Sequence, residues 1–172
     1  KDIFSKREKF NKNKIKVINN GIDLKTNNKT YNKALLKKEY ALADDEFIVG
    51  TIGRIYPEKN QQLIIEAAKI LKKQNFKCKI FLIGDGPSEK TIRNQIIENG
   101  LLEYFILPGW QKDVYKFLSL YDLFILPSLY EGHPSSILQA WSAKRPVIAT
   151  KVIGIKDIVI DGYNGLLFSK NN

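Results

Sequence analysis

The stretch FIVGTIGRIYPEKNQQLIIEAAKILKKQ, residues 47–74, decides the fold class. Its first part, FIVGTI (47–52), is an apolar and largely β-branched run that is typical of a strand buried on both faces. The last part, QQLIIEAAKILKKQ (61–74), has the periodicity of an amphipathic helix. Its predicted apolar face consists of Leu63, Ala67, Ile70 and Leu71. A buried strand, a short polar connection and an amphipathic helix together form the repeating unit of an α/β protein.

The same alternation continues along the rest of the chain. Strand-like runs occur at residues 16–19, 78–83, 104–107, 123–126, 146–150 and 165–168. Helix-like segments occur at 33–40, 88–99, 113–121 and after Glu131, and Asp113 is predicted to cap its helix. About six strands with helices between them predict a doubly wound, mostly parallel, Rossmann-like sheet. We expect one domain over 15–172, a basic lead-in over 1–14, and a longer protein of which this chain is a piece.

The net charge of +10 is concentrated near the amino terminus. Residues 1–38 contain twelve Lys and Arg against three Asp and Glu, whereas residues 39–172 contain sixteen against fifteen. The charge therefore does not form a basic groove across the domain, and the basic segment is interleaved mainly with asparagine rather than with the aromatic platforms of single-strand binders. We predict no nucleic-acid partner. The basic segment is either a solvated surface or a peripheral contact with the inner face of an anionic membrane.

Cysteine usage and the absence of targeting segments indicate the compartment. The single Cys78 lies in an apolar run and is predicted to be a buried hydrophobe, which fits a reducing cytoplasm. The charged start does not resemble a signal peptide, and no apolar run approaches the roughly 20 residues of a membrane-spanning helix. Because the sequence has no Asp-x-Asp pair and no His/Cys cluster, we predict neither a metal site nor a cofactor.

The connection GRIYPEKN (53–60) places Arg54 and Lys59 between a strand and a helix. A helix N-terminus already behaves as about half a positive charge, so added cations there are unfavourable unless an anion balances them. An anion-binding site is one interpretation. The alternative is that Glu58 offsets the charge and that both basic side chains face solvent.

Two other connections carry unusual residues. GDGP (84–87) contains Gly84 and Gly86, which allow backbone turns and the close approach of a ligand. Aspartate–glycine turns are common, so this motif alone is a weak signal.

The connection EGHPSSILQA (131–140) joins a strand to a helix. Pro134 is predicted to be the first helical residue, which leaves the amides of Ser135 and Ser136 pointing outward as a site for a phosphate-sized anion. Gln139 lies about one turn further along the same helix face. Glu131 could therefore reach one side of a bound diphosphate, and Gln139 could reach the other side.

These motifs carry a family resemblance. In the order VINNGID, VGTIGRIYPEKN, FLIGDGP, LPSLYEGHP and PVIATKVIGIKDIV, they resemble the C-terminal domain of family-four (group 1) retaining glycosyltransferases. The resemblance implies the donor-binding half of a GT-B enzyme, whose partner is an N-terminal domain. The implied reaction transfers a sugar from a nucleoside diphosphate, UDP in preference to GDP or ADP, to an acceptor such as a glycan or lipid with retention of configuration. We expect this chain alone to be inactive; the alternative is a non-catalytic nucleotide-sugar-binding module.

The resemblance also implies roles for single residues. Arg54 and Lys59 match the basic pair that holds the donor diphosphate, and Glu131 matches the first acid of a Glu-x7-Glu motif that binds the donor sugar. These three are the predicted catalytic residues. The predicted donor-binding residues are Gly53, Gly84, Gly86, Ser128, Gly132, His133, Pro134, Ser135, Ser136 and Gln139.

Two positions depart from the family pattern. Gln139 stands where the family has a second acid that binds the ribose hydroxyls, and an amide loses about 1 kcal/mol of charge-assisted interaction there. His133 stands where the family has an apolar or aromatic residue, and it either donates to a phosphate or sugar oxygen or packs beside the loop. Ser128 is predicted to secure the loop. Trp110 and Trp141 are predicted to be core or packing residues rather than sugar platforms.

Overall fold

A computed structural model describes residues 14–24 and 29–169 of the chain. The predicted lead-in over 1–14 lies outside the described residues except for Lys14. The strands are β1 (Phe47–Ile52), β2 (Cys78–Ile83), β3 (Phe105–Gly109), β4 (Leu123–Leu126), β5 (Val147–Thr150) and β6 (Leu166–Phe168). The α-helices are α1 (Lys33–Glu39), α2 (Gln61–Lys73), α3 (Glu89–Glu98), α4 (Val114–Leu118) and α5 (Ser135–Ser142).

The six strands form one sheet in the order β3-β2-β1-β4-β5-β6. Every neighbouring pair is parallel. The first strand, β1, lies in the middle of the sheet, β2 and β3 follow outward on one side, and the chain then returns to place β4 on the other side of β1. The loops after β1 and β4 therefore leave the sheet in opposite directions, and the crevice between them is where such sheets bind ligands. The predicted doubly wound parallel sheet is confirmed.

Two apolar cores cover the two faces of the sheet. On one face, helices α1, α4 and α5 pack against alternate strand residues such as Ile48 and Phe81. On the other face, α2 and α3 pack against the residues between them, such as Val49 and Leu82. The prediction that β1 is buried on both faces is therefore confirmed, because five of its six residues are buried. Cys78 is buried as predicted, and burial raises the pKa of its thiol.

The prediction of a strand at 16–19 is wrong. This segment has no regular secondary structure and pairs with no strand of the described sheet, and Val17 and Ile18 are 61% and 82% exposed. A β-branched composition favours a strand only where a neighbouring strand accepts its ladder of hydrogen bonds. The segment instead reaches the loop before α5, where Asn20 Nδ2 donates to the carbonyl oxygen of His133 at 2.8 Å.

The predicted apolar face of α2 is wrong except for Leu71, which packs against the core. The helix buries Gln61, Ile64, Ile65 and Ala68, whereas Ile70 is 58% exposed. The sequence offers two overlapping apolar stripes, and contact with the sheet selects the one that periodicity alone did not favour. Asp113 is the N-cap residue of α4, as predicted, but its side chain makes no capping hydrogen bond there. Its carboxylate accepts instead from Lys29 Nζ and Tyr31 Oη.

Candidate functional site

The loops that follow β1 and β4 are fastened together at the crevice. The amide of Leu129 donates to the carbonyl oxygen of Glu58 at 2.8 Å, and Asn60 Nδ2 donates to the carbonyl oxygen of Pro127 at 3.3 Å. Asn60 adopts a left-handed backbone conformation with φ of 52° between a short 3-10 helix (Pro57–Lys59) and α2. This turn brings the end of GRIYPEKN against the start of the EGHPSS loop.

Lys59 and Glu131 form an ion pair across this junction. Lys59 Nζ donates to Glu131 Oε1 at 2.6 Å, and the two side chains are only 20% and 10% exposed. Ser128 Oγ donates to the same carboxylate oxygen at 2.7 Å. Thr150 Oγ1 in turn donates to the carbonyl oxygen of Ser128 at 2.5 Å, and both of these residues are fully buried. The carboxylate of Glu131 is thus held in one position by charge and by a buried hydroxyl.

Arg54 occupies a different environment although it lies in the same connection. Arg54 is exposed, and its guanidinium carbon lies 4.6 Å from the centre of the Tyr56 ring. Gln61 fixes the backbone beneath it, because its buried amide group donates to the carbonyl oxygen of Arg54 at 2.9 Å. Among the described residues no carboxylate pairs with Arg54, and Glu58 pairs with neither base. The alternative prediction, that both basic side chains face solvent, is therefore wrong for Lys59, whose partner is Glu131.

The glycines of GDGP are required by packing between loops. Gly84 and Gly86 have φ of 137° and 154°, which favour glycine. A side chain at either position would overlap the backbone carbonyl of Gly53 or Ile55. The close approach at these glycines is therefore between two connections of the chain. A side chain on Gly53, by contrast, would meet nothing within 4 Å, and the same is true of Gly132.

Helix α5 begins at Ser135, one residue later than predicted. Pro134 is the N-cap residue, with an extended backbone (φ −71°, ψ 107°), so the amides of Ser135 and Ser136 are the first two of the helix. Gln139 is half-buried one turn further along. His133 is also half-buried, but its Nδ1 atom is fully buried and has no hydrogen-bond partner in the part of the chain that the structure describes.

A cavity on the β3 side of the crevice includes two residues, Trp110 and Gln111, that were not predicted to belong to the site. This cavity has a volume of about 200 Å³ and is lined by Gly53, Arg54 and Gly84 together with Trp110 and Gln111. The core or packing role predicted for Trp110 is wrong, because Trp110 is 65% exposed. Its position directly after β3 was an available signal, since the other polar connections also follow strands at this edge. Trp141 does pack as predicted, and its Nε1 donates to the carbonyl oxygen of Asn164 at 3.0 Å.

The described residues contain neither a metal-binding cluster nor a membrane-spanning helix. Within 14–24 and 29–169 no group of three or more His, Cys, Asp or Glu side chains is arranged to hold a metal ion. None of the helices described has the length and apolarity needed to span a membrane.

The family model for glycosyl transferases group 1 matches residues 32–172. The chain belongs to this family. A UDP-Gal:alpha-D-GlcNAc-diphosphoundecaprenol alpha-1,3-galactosyltransferase of Escherichia coli is 33% identical over 163 residues, which are 92% of this chain and 42% of the relative. A poly(ribitol-phosphate) alpha-N-acetylglucosaminyltransferase of Staphylococcus aureus is 33% identical over 128 residues, 74% of this chain and 26% of the relative.

Solved structures contain the same fold. HepE of Anabaena, solved in complex with UDP-glucose, superposes with a TM-score of 0.81 at 28% identity, covering 90% of this chain and 43% of that one. This chain thus spans less than half the length of these relatives. Both the predicted resemblance and the predicted fold, the C-terminal half of a GT-B glycosyltransferase, are confirmed.

Proposed function

We propose that this chain is the donor-binding domain of a retaining glycosyltransferase that uses a UDP-sugar. The observation that carries the proposal is the position of Arg54 and the Lys59–Glu131 pair at the switch point of the sheet. Solved relatives contain UDP or UDP-glucose, which favours UDP over GDP or ADP. The domain would work in the cytoplasm with an N-terminal GT-B domain, and it would transfer no sugar alone because half of the cleft is missing.

The diphosphate of the donor would lie between Arg54 and the start of α5. Arg54 has no carboxylate partner among the described residues, so its full charge is available to an anion. The amides of Ser135 and Ser136 add the partial positive charge of a helix N-terminus. Together they would stabilise the departing diphosphate by fixed electrostatics, without a metal ion.

The donor sugar would lie against Glu131. One carboxylate oxygen of Glu131 is already bonded to Lys59 and Ser128, which leaves the other, Oε2, to accept from a sugar hydroxyl. Lys59 would then orient the carboxylate and balance its charge. His133 would donate to a sugar or phosphate oxygen, and Gln139 would hold the ribose.

The acceptor would carry phosphate. Two curated relatives are named for acceptors of this kind, a diphosphoundecaprenol-linked sugar and poly(ribitol-phosphate). A membrane-borne acceptor would place the enzyme at the inner face of the membrane, in keeping with the basic residues of the first part of the chain.

Isothermal titration of this chain with UDP, GDP, ADP and uridine tests the proposal. We expect UDP to bind most tightly and uridine to bind much more weakly, because uridine lacks the diphosphate. Equal binding of UDP and uridine would refute the anion site. The non-catalytic alternative draws support from Gln139, and it predicts donor binding without any transfer when the chain is joined to a complete partner domain.

A further inference from the structure

A second cavity lies on the other side of the Glu131 loop, between the ends of β4, β5 and β6. It has an open volume of about 480 Å³, and we call it the Lys151 cavity. Its lining includes Leu129 and Tyr130 from the loop after β4, and Lys151, Ile153 and Lys156 from the loop after β5. None of the predicted donor-binding residues lines it.

The cavity combines positive charge with exposed apolar surface. Lys151 and Lys156 are exposed, and neither side chain has a hydrogen-bond or ion-pair partner among the described residues. Tyr130 and Ile153 are 65% and 61% exposed, and Leu129 is 40% exposed. Apolar side chains grouped around a concavity mark a binding surface more often than ordinary solvated surface. Two cations beside them favour a ligand that is both anionic and apolar.

The cavity is joined to the predicted sugar site by the backbone. Tyr130 directly precedes Glu131, so their Cα atoms are about 3.8 Å apart. Gly154, with φ of 84°, packs so closely on this loop that a side chain would overlap the carbonyl oxygens of Glu131 and Gly132. The turn is also fixed from its own side, because the amide of Gly154 donates to Asp157 Oδ2 at 3.2 Å. A ligand in the cavity would therefore lie beside the residue that is proposed to hold the transferred sugar.

We propose that the Lys151 cavity binds the diphosphate end of a lipid-linked acceptor. The two lysines would contact the phosphates, and Leu129, Tyr130 and Ile153 would contact the first units of the lipid chain. The inference rests on the proposed transferase function and adds a site for the acceptor within this domain.

The test is titration of the chain with farnesyl diphosphate below its micelle concentration, with farnesol and inorganic pyrophosphate as partial ligands. We expect farnesyl diphosphate to bind more tightly than either. The double variant Lys151→Gln/Lys156→Gln should weaken its binding about tenfold through the loss of two exposed charge-assisted contacts. Ile153→Ser should weaken farnesyl diphosphate and leave pyrophosphate unchanged.

Controls separate this site from the donor site and from general charge. Lys73→Gln removes an exposed lysine at the end of α2 and should have no effect. Excess UDP should not displace farnesyl diphosphate, and the double variant should bind UDP as the parent does. Displacement by UDP would overturn the inference, and so would equal binding by the double variant and the parent. Pyrophosphate binding as tightly as farnesyl diphosphate would also overturn it, because the cavity would then bind an anion without a lipid chain. Failure of all variants to bind UDP would instead refute the donor function.

Discussion

Arg54 and Lys59 have the same charge and lie in the same connection, yet the fold gives them different surroundings. Lys59 is mostly buried and is paired with Glu131, whereas Arg54 is exposed and lies over the ring of Tyr56. The charge of Lys59 is therefore balanced by Glu131, whereas Arg54 has no carboxylate partner in the part of the chain that the structure describes. The two bases therefore differ in what they can do, since Lys59 holds Glu131 in place and Arg54 makes no such pair among the described residues.

The largest expected effect is a loss of stability when the Lys59–Glu131 ion pair is broken. Glu131→Ala leaves Lys59 without its partner and Ser128 Oγ without its acceptor, and we expect it to lower the free energy of unfolding by about 2–3 kcal/mol. This is below the cost of breaking a fully buried pair, because Lys59 retains some contact with water. Urea unfolding measures the change. Glu58→Ala, in the connection that contains Lys59, is the control and should change stability by less than about 0.5 kcal/mol.

Arg54→Ala should show the opposite behaviour. Its stability should match that of the parent, while its affinity for UDP should fall by about 1–3 kcal/mol through the loss of a charge-assisted contact. Uridine binding should hardly change. Lys59→Ala should lower both stability and UDP affinity, since it leaves Glu131 unpaired near the phosphates. If Arg54→Ala and Lys59→Ala gave the same pair of measurements by calorimetry and urea unfolding, the distinction between the two bases would be lost.

A smaller effect is expected on the α5 side of the same crevice. Gln139→Glu restores a carboxylate that can accept from both ribose hydroxyls, and the side chains are nearly equal in size. Arg54 and the helix start offset the added negative charge, so UDP affinity should stay the same or rise by up to about tenfold, or 1.4 kcal/mol. Calorimetry should compare UDP with its 2′,3′-dideoxy analogue. A clear loss of affinity, or equal responses to both ligands, would show that Gln139 does not hold the ribose.

The smallest expected effect is that of chelation. If Arg54 and the amides of α5 supply the positive charge, then UDP should bind this chain with the same affinity in EDTA as in magnesium. Titration in the two buffers measures the difference directly. A strict dependence on magnesium or manganese would mean that a cation, rather than the exposed arginine, balances the diphosphate.

The amino-acid sequence alone predicted the fold class and the candidate residues of the site. Alternating apolar runs and amphipathic segments predicted the parallel sheet, because strands buried on both faces need continuous apolar residues. The ordered motifs also predicted the family, which the match over residues 32–172 confirms. Local patterns succeeded here because each depends on neighbouring residues.

Which side chains are in contact follows from the three-dimensional fold. Lys59 and Glu131 are 72 positions apart, and their contact exists because β4 returns to lie beside β1. Three predictions were wrong because they too depended on distant contacts. They concern the apolar face of α2, the strand at 16–19, which pairs with nothing in the described sheet, and the burial of Trp110. Burial, pairing and charge balance depend on segments that are distant in sequence, so the sequence proposed the residues of the site and the fold assigned their partners.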